Sequence, residues 1–226
     1  MGGCRGIFPP PPPPPPFRTR TLKKSIFSTL LFSSLFALPV SVFGVNVGFE
    51  IGAGFHTGGD HTDTVESAYR ADSSGLGMFL GLQAGIPIGV TENFVVKPQL
   101  SLSFISVSVE DGYGEEDSYV DTIVIPGVAA EYYINGRKNS AFIGAEIGVV
   151  SASGGSDKYW NAGYELSGDG VSFGIYGGYA FGGGGKVSIG YRSVPVEVDY
   201  TYGLPIESAN FGGLSFLFSY AFYSEE

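Results

Sequence analysis

The sequence predicts an all-β fold: a closed, eight-stranded, antiparallel up-and-down transmembrane β-barrel, preceded by an N-terminal signal-peptide segment. Three observations carry that expectation. The last stretch, Phe211 to Tyr223, alternates with a period of two, placing Gly212, Leu214, Phe216, Phe218, Tyr220 and Phe222 on one face and Gly213, Ser215, Leu217, Ser219 and Ala221 on the other. The 226 residues include 36 Gly, 18 Phe and 14 Tyr with only 15% charged residues, which suits one domain of strands and tight turns better than a helical bundle. Finally, the alternating runs are joined by connections that are long and short in turn. A strand with a rank of aromatics on one face, near the end of a Gly-rich chain, presents them to lipid. A sheet in hydrocarbon must then close on itself, because each unpaired N–H or C=O there costs several kcal/mol.

The first 44 residues read as an address. Lys23 and Lys24 precede an apolar run, Ser25 to Phe43, and Val42 and Gly44 occupy the small-residue positions of a cleavage site before Val45. The run is interrupted by Ser28, Thr29, Ser33, Ser34 and Pro39, which argues against a membrane anchor, since a span needs ~20 apolar residues. Residues 22–44 are therefore expected to be the signal peptide and residues 45–226 the barrel. Residues 1–21 are a proline-rich extension containing Pro9 to Pro16, a polyproline rod that a signal does not need. Translation from Leu22 would give an ordinary signal, so Met1 to Thr21 is read as a mis-assigned start.

Charge narrows the function. The net charge is −10, but all five charged residues before Val45 are basic; the remaining chain has 7 basic against 22 acidic residues, a net of −15. Such a surface repels nucleic acid, and no nucleic-acid partner is expected. The one cysteine, Cys4, lies in the extension, so the barrel has no internal disulfide.

The strands follow in order. Val45 to Phe55 sets Val45, Val47, Phe49, Ile51, Ala53 and Phe55 against Asn46, Gly48, Glu50, Gly52 and Gly54. His56 to Ser74 is polar and reads as a long loop. Leu76 to Val90 is the second strand, and only Thr91 to Asn93 separate it from the third. That strand puts Val96, Pro98, Leu100, Leu102 and Phe104 opposite Lys97, Gln99, Ser101 and Ser103, and its parity flips at Ile105, as a bulge or emergence from the bilayer would explain. An acidic loop, Asp111 to Ser118, leads to the fourth strand, Tyr119 to Ile134, where Pro126 removes a ladder donor. A turn at Asn135 to Asn139 leads to the fifth, with Ile143, Ala145, Ile147 and Val149 opposite Gly144, Glu146 and Gly148. Ser151 to Asp169 reads as a third long loop, Val171 to Phe181 as the sixth strand and Gly182 to Gly185 as a turn. The seventh strand starts at Lys186 with Val187, Ile189 and Tyr191 outward, flips parity near Ser193 and continues to Tyr200. Thr201 to Asn210 is the last loop before the closing strand. Gly182 to Lys186 lacks the Ser or Thr that follows the lysine in a phosphate loop and joins strand to strand, so it is a turn.

Eight strands with short turns at one end and long loops at the other are the layout of a bacterial outer-membrane barrel, with both termini and the short turns in the periplasm. Phe94, Tyr132, Tyr133, Phe142, Phe181, Phe222 and Tyr223 collect near the short turns, as an interfacial girdle requires. With the Ile125-Pro126 pair in the fourth strand and the aromatic closing strand, Val45 to Tyr223 resembles the small eight-stranded outer-membrane barrels, the OmpA transmembrane domain, OmpX and OmpW families among them. The resemblance implies a cell-surface protein of a Gram-negative envelope, in contact with the lipid bilayer and lipopolysaccharide. It also implies a C-terminal strand presented to the barrel-assembly machinery, and an OmpW-like relative would be a narrow, porin-like channel for small or apolar solutes.

Three groups of residues could carry chemistry. Glu50, Lys97, Glu131, Glu146 and Arg192 share the inward face, where an unpaired charge is costly, so they are expected to pair as a structural plug or to line a gated aqueous path. Eight strands enclose little more than their own side chains, which favours the plug. Acidic residues crowd the loops, Glu115, Glu116 and Asp117 among them; carboxylates suit Ca²⁺ or Mg²⁺, but no EF-hand register is present and a solvated surface is the plainer reading. His56 and His61 with Asp60 and Asp63 could serve as a base and its orienting acid, as in lipid-modifying outer-membrane enzymes, but no nucleophile is spaced to serve them. A soluble lipocalin-like carrier would bury its apolar face instead. The expectation is a non-enzymatic barrel without cofactor or metal, acting in adhesion or host or ligand contact through its acidic loops.

Overall fold

The computed structural model describes residues 46–69, 77–110, 116–159, 162–168, 170–200 and 207–223. The signal-peptide and extension expectations lie outside the described residues.

Among the described residues, period-two alternation becomes twelve strands, with one helix beside them. The strands are β1 (Asn46–Thr57), β2 (Met78–Gly85), β3 (Ile88–Gly89), β4 (Phe94–Glu110), β5 (Glu116–Tyr133), β6 (Ser140–Tyr159), β7 (Ala162–Ser167), β8 (Gly170–Ala180), β9 (Gly185–Ser193), β10 (Pro195–Tyr200), β11 (Glu207–Asn210) and β12 (Gly213–Tyr223), and the helix is α1 (His61–Tyr69). β2 and β3 keep one register against β1 and β4 across Ile86 and Pro87, where Ile86 N–H donates to Pro98 O at 2.9 Å and Gly48 N–H to Pro87 O at 2.9 Å, so they act as one stave.

The pairings between these strands are antiparallel, and they close a ring: β1 pairs with β2, β2 with β4, then β5, β6, β8, β9 and β12, which returns to β1. The result is an eight-stranded closed barrel. From Gly144, the pairings through Glu131, Val95 and Gly89 reach Asn46; in the other direction, through Tyr176, Gly190 and Ser215, they reach His56. Both ends of that circuit lie on β1 at staggered positions, as tilted strands in a closed barrel require. Pro126 interrupts the β5–β6 ladder at Ile125 and Pro126 only, with the same register on either side, while β4–β5 pairing passes it unbroken.

The outer wall is apolar: Ile51, Leu80, Ile143, Ile147, Ile175 and Phe218 are each about half exposed or more, with Ile175 at 67% and Phe218 at 68%. No described helix is long and apolar enough to cross a membrane. Beyond this belt the pattern inverts without any change of geometry. On β4, Leu100, Leu102 and Phe104 point out and Ser101 and Ser103 in, whereas further on Ile105 is buried and Ser106 exposed. β4–β5 pairing runs unbroken from Phe94–Tyr132 to Glu110–Glu116, so the flip at Ile105 is emergence from lipid and not a bulge. The flip near Ser193 has the same cause: Val194, Val196 and Val198 are buried while Glu197 and Asp199 are exposed.

Three stretches read as loops carry regular structure. β6 and β7 extend the barrel wall as a hairpin, and β10 and β11 add to it, so that the extension sheet runs β5–β6–β7–β10–β11. In the first loop, α1 starts after Gly58 and Gly59; Gly59 has φ +53°, and a Cβ there would lie 2.1 Å from Asn210 O. Thr64 N–H donates to Asp60 O at 2.9 Å, opening the helix, and Val65 and Ala68 are buried. The helix is short and mostly polar, so its two apolar contacts gave no periodic signal.

If the belt is lipid-facing, Ile147→Arg should destabilise the barrel by about 2–4 kcal/mol in vesicles, whereas Ser153→Arg, outward on the same strand beyond the belt, should cost about 0–1 kcal/mol. Urea unfolding in lipid vesicles measures both.

Candidate functional site: the sealed lumen

Alternation sends Glu50, Lys97, Glu131 and Lys186 from β1, β4, β5 and β9 into the lumen, where they form a closed ring of ion pairs. Lys97 Nζ donates to Glu50 Oε1 at 2.7 Å and Glu131 Oε1 at 3.0 Å; Lys186 Nζ donates to Glu50 Oε2 at 2.9 Å and Glu131 Oε2 at 2.7 Å. Each carboxylate takes both ammonium groups, so two negative and two positive charges balance, and all four side chains are buried. Tyr133 and Tyr176 donate hydroxyls to Glu131 at 2.6 and 3.0 Å. The remaining lone pairs of that carboxylate are thereby engaged, which is the condition for a buried ion pair to be tolerated. Lys186 Nζ also stands 4.9 Å from the Phe142 ring centroid.

Glu146 and Arg192 form a second pair nearby. Arg192 Nε donates to Glu146 Oε1, and Gln99 Nε2 to Glu146 Oε2 at 2.6 Å. The structure thus divides the five inward charges named from the sequence into two groups and adds Lys186. That residue was legible: it has the parity of Ser188, Gly190 and Arg192, but its place beside a glycine turn drew attention to the turn.

The ring rests on an apolar layer of Val95, Tyr133, Phe142 and Ala180 at the turn end of the barrel, so Tyr133 and Phe142 face the lumen and not the interfacial girdle expected from the sequence. Above it lies a cavity of about 50 Å³, lined by the ring, by the Glu146–Arg192 pair, by His56, Ser101, Ser103 and Ser215, and by apolar side chains such as Phe142 and Leu217. Gln83 and Gln99 turn their amide oxygens into the interior without a protein donor. The space suits a few waters, at roughly 10–15 Å³ each. A second apolar layer, larger than the first, seals the loop end: Ile105, Ile123, Ile125, Val150, Leu166, Val194 and Phe211 among others, with Val65 and Ala68 from α1.

Within that upper layer, the histidines and aspartates take places unlike those of a base and its neighbouring acid. His61 is gripped by Phe79 and Phe211 edge-on at 5.1 and 5.0 Å, and its Nε2 meets Asp121 Oδ2 at 2.7 Å; Asp60 instead accepts Asn210 N–H at 2.9 Å, and Asp63 is exposed. His56 stacks on Phe79 at 5.0 Å, and its Nδ1 donates to Thr57 O. Asp121, which follows an acidic loop in the sequence, is fully buried and accepts Gly155 N–H at 2.8 Å and the Tyr164 hydroxyl. Burial and this carboxylate push the Tyr164 phenol far above its ordinary range, so it stays a donor. The pairing fixes α1 to the sheet extension.

Glu115 lies outside the described residues; Glu116 and Asp117 open β5 opposite Glu110 and Val109. Among the described residues, no group of three or more His, Cys, Asp or Glu side chains is arranged to hold a metal.

A closed eight-stranded antiparallel ring with an apolar outer belt and an ion-paired lumen defines a small transmembrane β-barrel. No protein-family model and no curated protein matches the sequence. Among solved structures, the chain is similar to Ail, the attachment invasion locus protein of Yersinia pestis in complex with the heparin analogue sucrose octasulfate, with 11% identity, 80% of this chain and 100% of that chain covered and a TM-score of 0.43. It is also similar to the outer membrane protein AlkL in DMPC bilayers (14% identity, 84% and 96% covered, TM-score 0.39) and to the outer membrane protein OprG from Pseudomonas aeruginosa (10%, 80% and 95%, TM-score 0.41). The likeness is one of architecture, and the closed ring itself rests on this chain's own strand pairings.

Glu131→Gln should leave two buried lysines with one carboxylate and cost about 3–5 kcal/mol in urea unfolding. Combining it with Lys186→Met restores charge balance and should recover part of that loss.

Proposed function

We propose that this protein is an outer-membrane barrel that works through the surface at its loop end, with both termini in the periplasm and its lumen serving as a plug. The carrying observation is that the lumen is blocked in series. An apolar layer, an ion-pair ring and a second, larger apolar layer follow one another, and the cavity between them holds about 50 Å³. A solute path would have to open both apolar layers and part four mutually satisfied charges.

The surface reading is supported by what the loop end exposes. Glu165, Glu197, Asp199 and Glu207 on the sheet extension and Asp63 and Glu66 on α1 all face solvent. Asp199 pairs across the strands with Glu165, so two carboxylates stand side by side. Adjacent like charges on a rigid sheet cost stability, and a cationic partner surface would relieve that repulsion. The contact is non-enzymatic in this reading: His61 and Asp121 are spent on holding α1. Strand β12, ending in Tyr220, Phe222 and Tyr223, is read as the segment offered to the barrel-assembly machinery.

Planar-bilayer recording and liposome swelling test the plug. The expected result is at most small, infrequent conductance and no swelling with sugars or with small apolar solutes. A large steady pore would overturn the reading. For the surface, Glu165→Lys with Asp199→Lys should weaken binding of barrel-bearing cells to a host surface while leaving the heat-modifiable gel shift of the folded barrel unchanged.

A further inference from the structure

The lipid-facing wall carries a groove that neither closure nor the plug requires. Cross-strand pairing sets Ala130 beside Ala145 and Ala145 beside Ile175, and in the next row Ile143 beside Gly177 and Gly177 beside Ile189. Where the small residues meet, the wall carries a shallow, open apolar recess, bounded by Tyr132 on one margin and Tyr191 on another. Its flanks are Ile143, Ile175 and Ile189, which are 64%, 67% and 50% exposed. The groove is continuous with the apolar belt, so its occupant is a component of the bilayer and not a solute from water.

The turn beyond Tyr132 and Ile143 decides which component. It carries Arg137 and Lys138. Arg137 is engaged by Thr91 O at 3.2 Å and lies over the Tyr223 ring at 5.8 Å, whereas Lys138 is exposed. The other charge on the described short turns is Glu92, while the loop end carries the exposed carboxylates named above. The turn end is thus the end that suits an anionic headgroup.

We propose that this groove is a phospholipid site, taking one acyl chain of an anionic phospholipid from the leaflet at the turn end, with Lys138 meeting its phosphate. Lipid tails are as apolar as the wall, so hydrophobic transfer gives no preference here. Selectivity comes from closer packing of a chain in the recess and from the ammonium group. A single lysine at an anionic surface contributes a preference of ~5-fold. The site does not depend on the surface-contact reading, and either can fail alone.

The test uses the full chain in nanodiscs of equal phosphatidylglycerol and phosphatidylcholine, with spin-labelled versions of each lipid and the motionally restricted fraction as readout. Above the boundary shell that the whole belt restricts, one further restricted lipid per barrel is expected, favouring phosphatidylglycerol by ~5-fold. Lys138→Gln should equalise the two lipids while leaving the site occupied. Gly177→Leu should remove that one further lipid of either kind and leave only the boundary shell; a Cβ at this position meets only Phe142 O at 3.5 Å, so the wall accepts it and the side chain fills the recess. If that variant lacks the heat-modifiable gel shift of a folded barrel, Ala145→Leu fills the same recess from β6. Equal restriction of the two lipids in the parent protein, or an unchanged restricted fraction in a folded groove-filling variant, would overturn the proposal.

Discussion

Hydrocarbon offers no partner to a backbone N–H or C=O, and the whole molecule follows from that constraint. A sheet of strands satisfies every interior residue but leaves two edges, so it must close. Closure of eight tilted strands brings their inward side chains within reach of one another. At this diameter the lumen cannot be empty, and its residues must be mutually compatible. The constraint also explains how Pro126 is carried. It removes one donor on the β6 side, and the ladder lapses only at Ile125 and Pro126 before resuming in register.

The second organising fact is the change of solvent along each strand. Strand geometry assigns residues to two faces, and the medium decides which face is greasy. Through the belt, Leu100 and Leu102 face lipid and Ser101 faces the lumen; beyond it, Ile105 turns inward and Ser106 meets water on an unbroken β4–β5 register. The barrel wall thus continues as a sheet of the soluble kind, apolar inside. Its core, which takes in Val65 and Ala68 of α1, is the larger of the two apolar clusters inside the wall.

Much of this was legible in the residues. The eight staves, their outward and inward faces and the inward charges Glu50, Lys97, Glu131, Glu146 and Arg192 follow from period-two alternation, since parity alone decides which face a residue takes. Lys186 was available to the same rule. The parity flips at Ile105 and Ser193 were visible, but alternation looks the same whether a strand bulges or changes solvent, and only the register separates the two. α1 was hidden because nine residues with two core contacts, Val65 and Ala68, give no helical period above the polar background. Asp121 was hidden because a carboxylate in an acidic stretch looks solvated until His61, Tyr164 and Gly155 converge on it.

The sequence by itself therefore determined an all-β barrel with a lipid-facing belt and a charged lumen, because those properties depend on local alternation and on the need to satisfy the backbone. It could not determine who meets whom. Lys186 and Glu50 are separated by 136 positions and meet at 2.9 Å only because the strand registers and stagger bring β9 and β1 to the same level of the lumen. The same geometry placed Glu146 with Arg192 in a separate pair, set His61 against Asp121, and cut the recess at Ala130, Ala145 and Gly177. These are relations between strands, set by the sum of all registers around a closed ring, and no single stretch of the chain contains that sum.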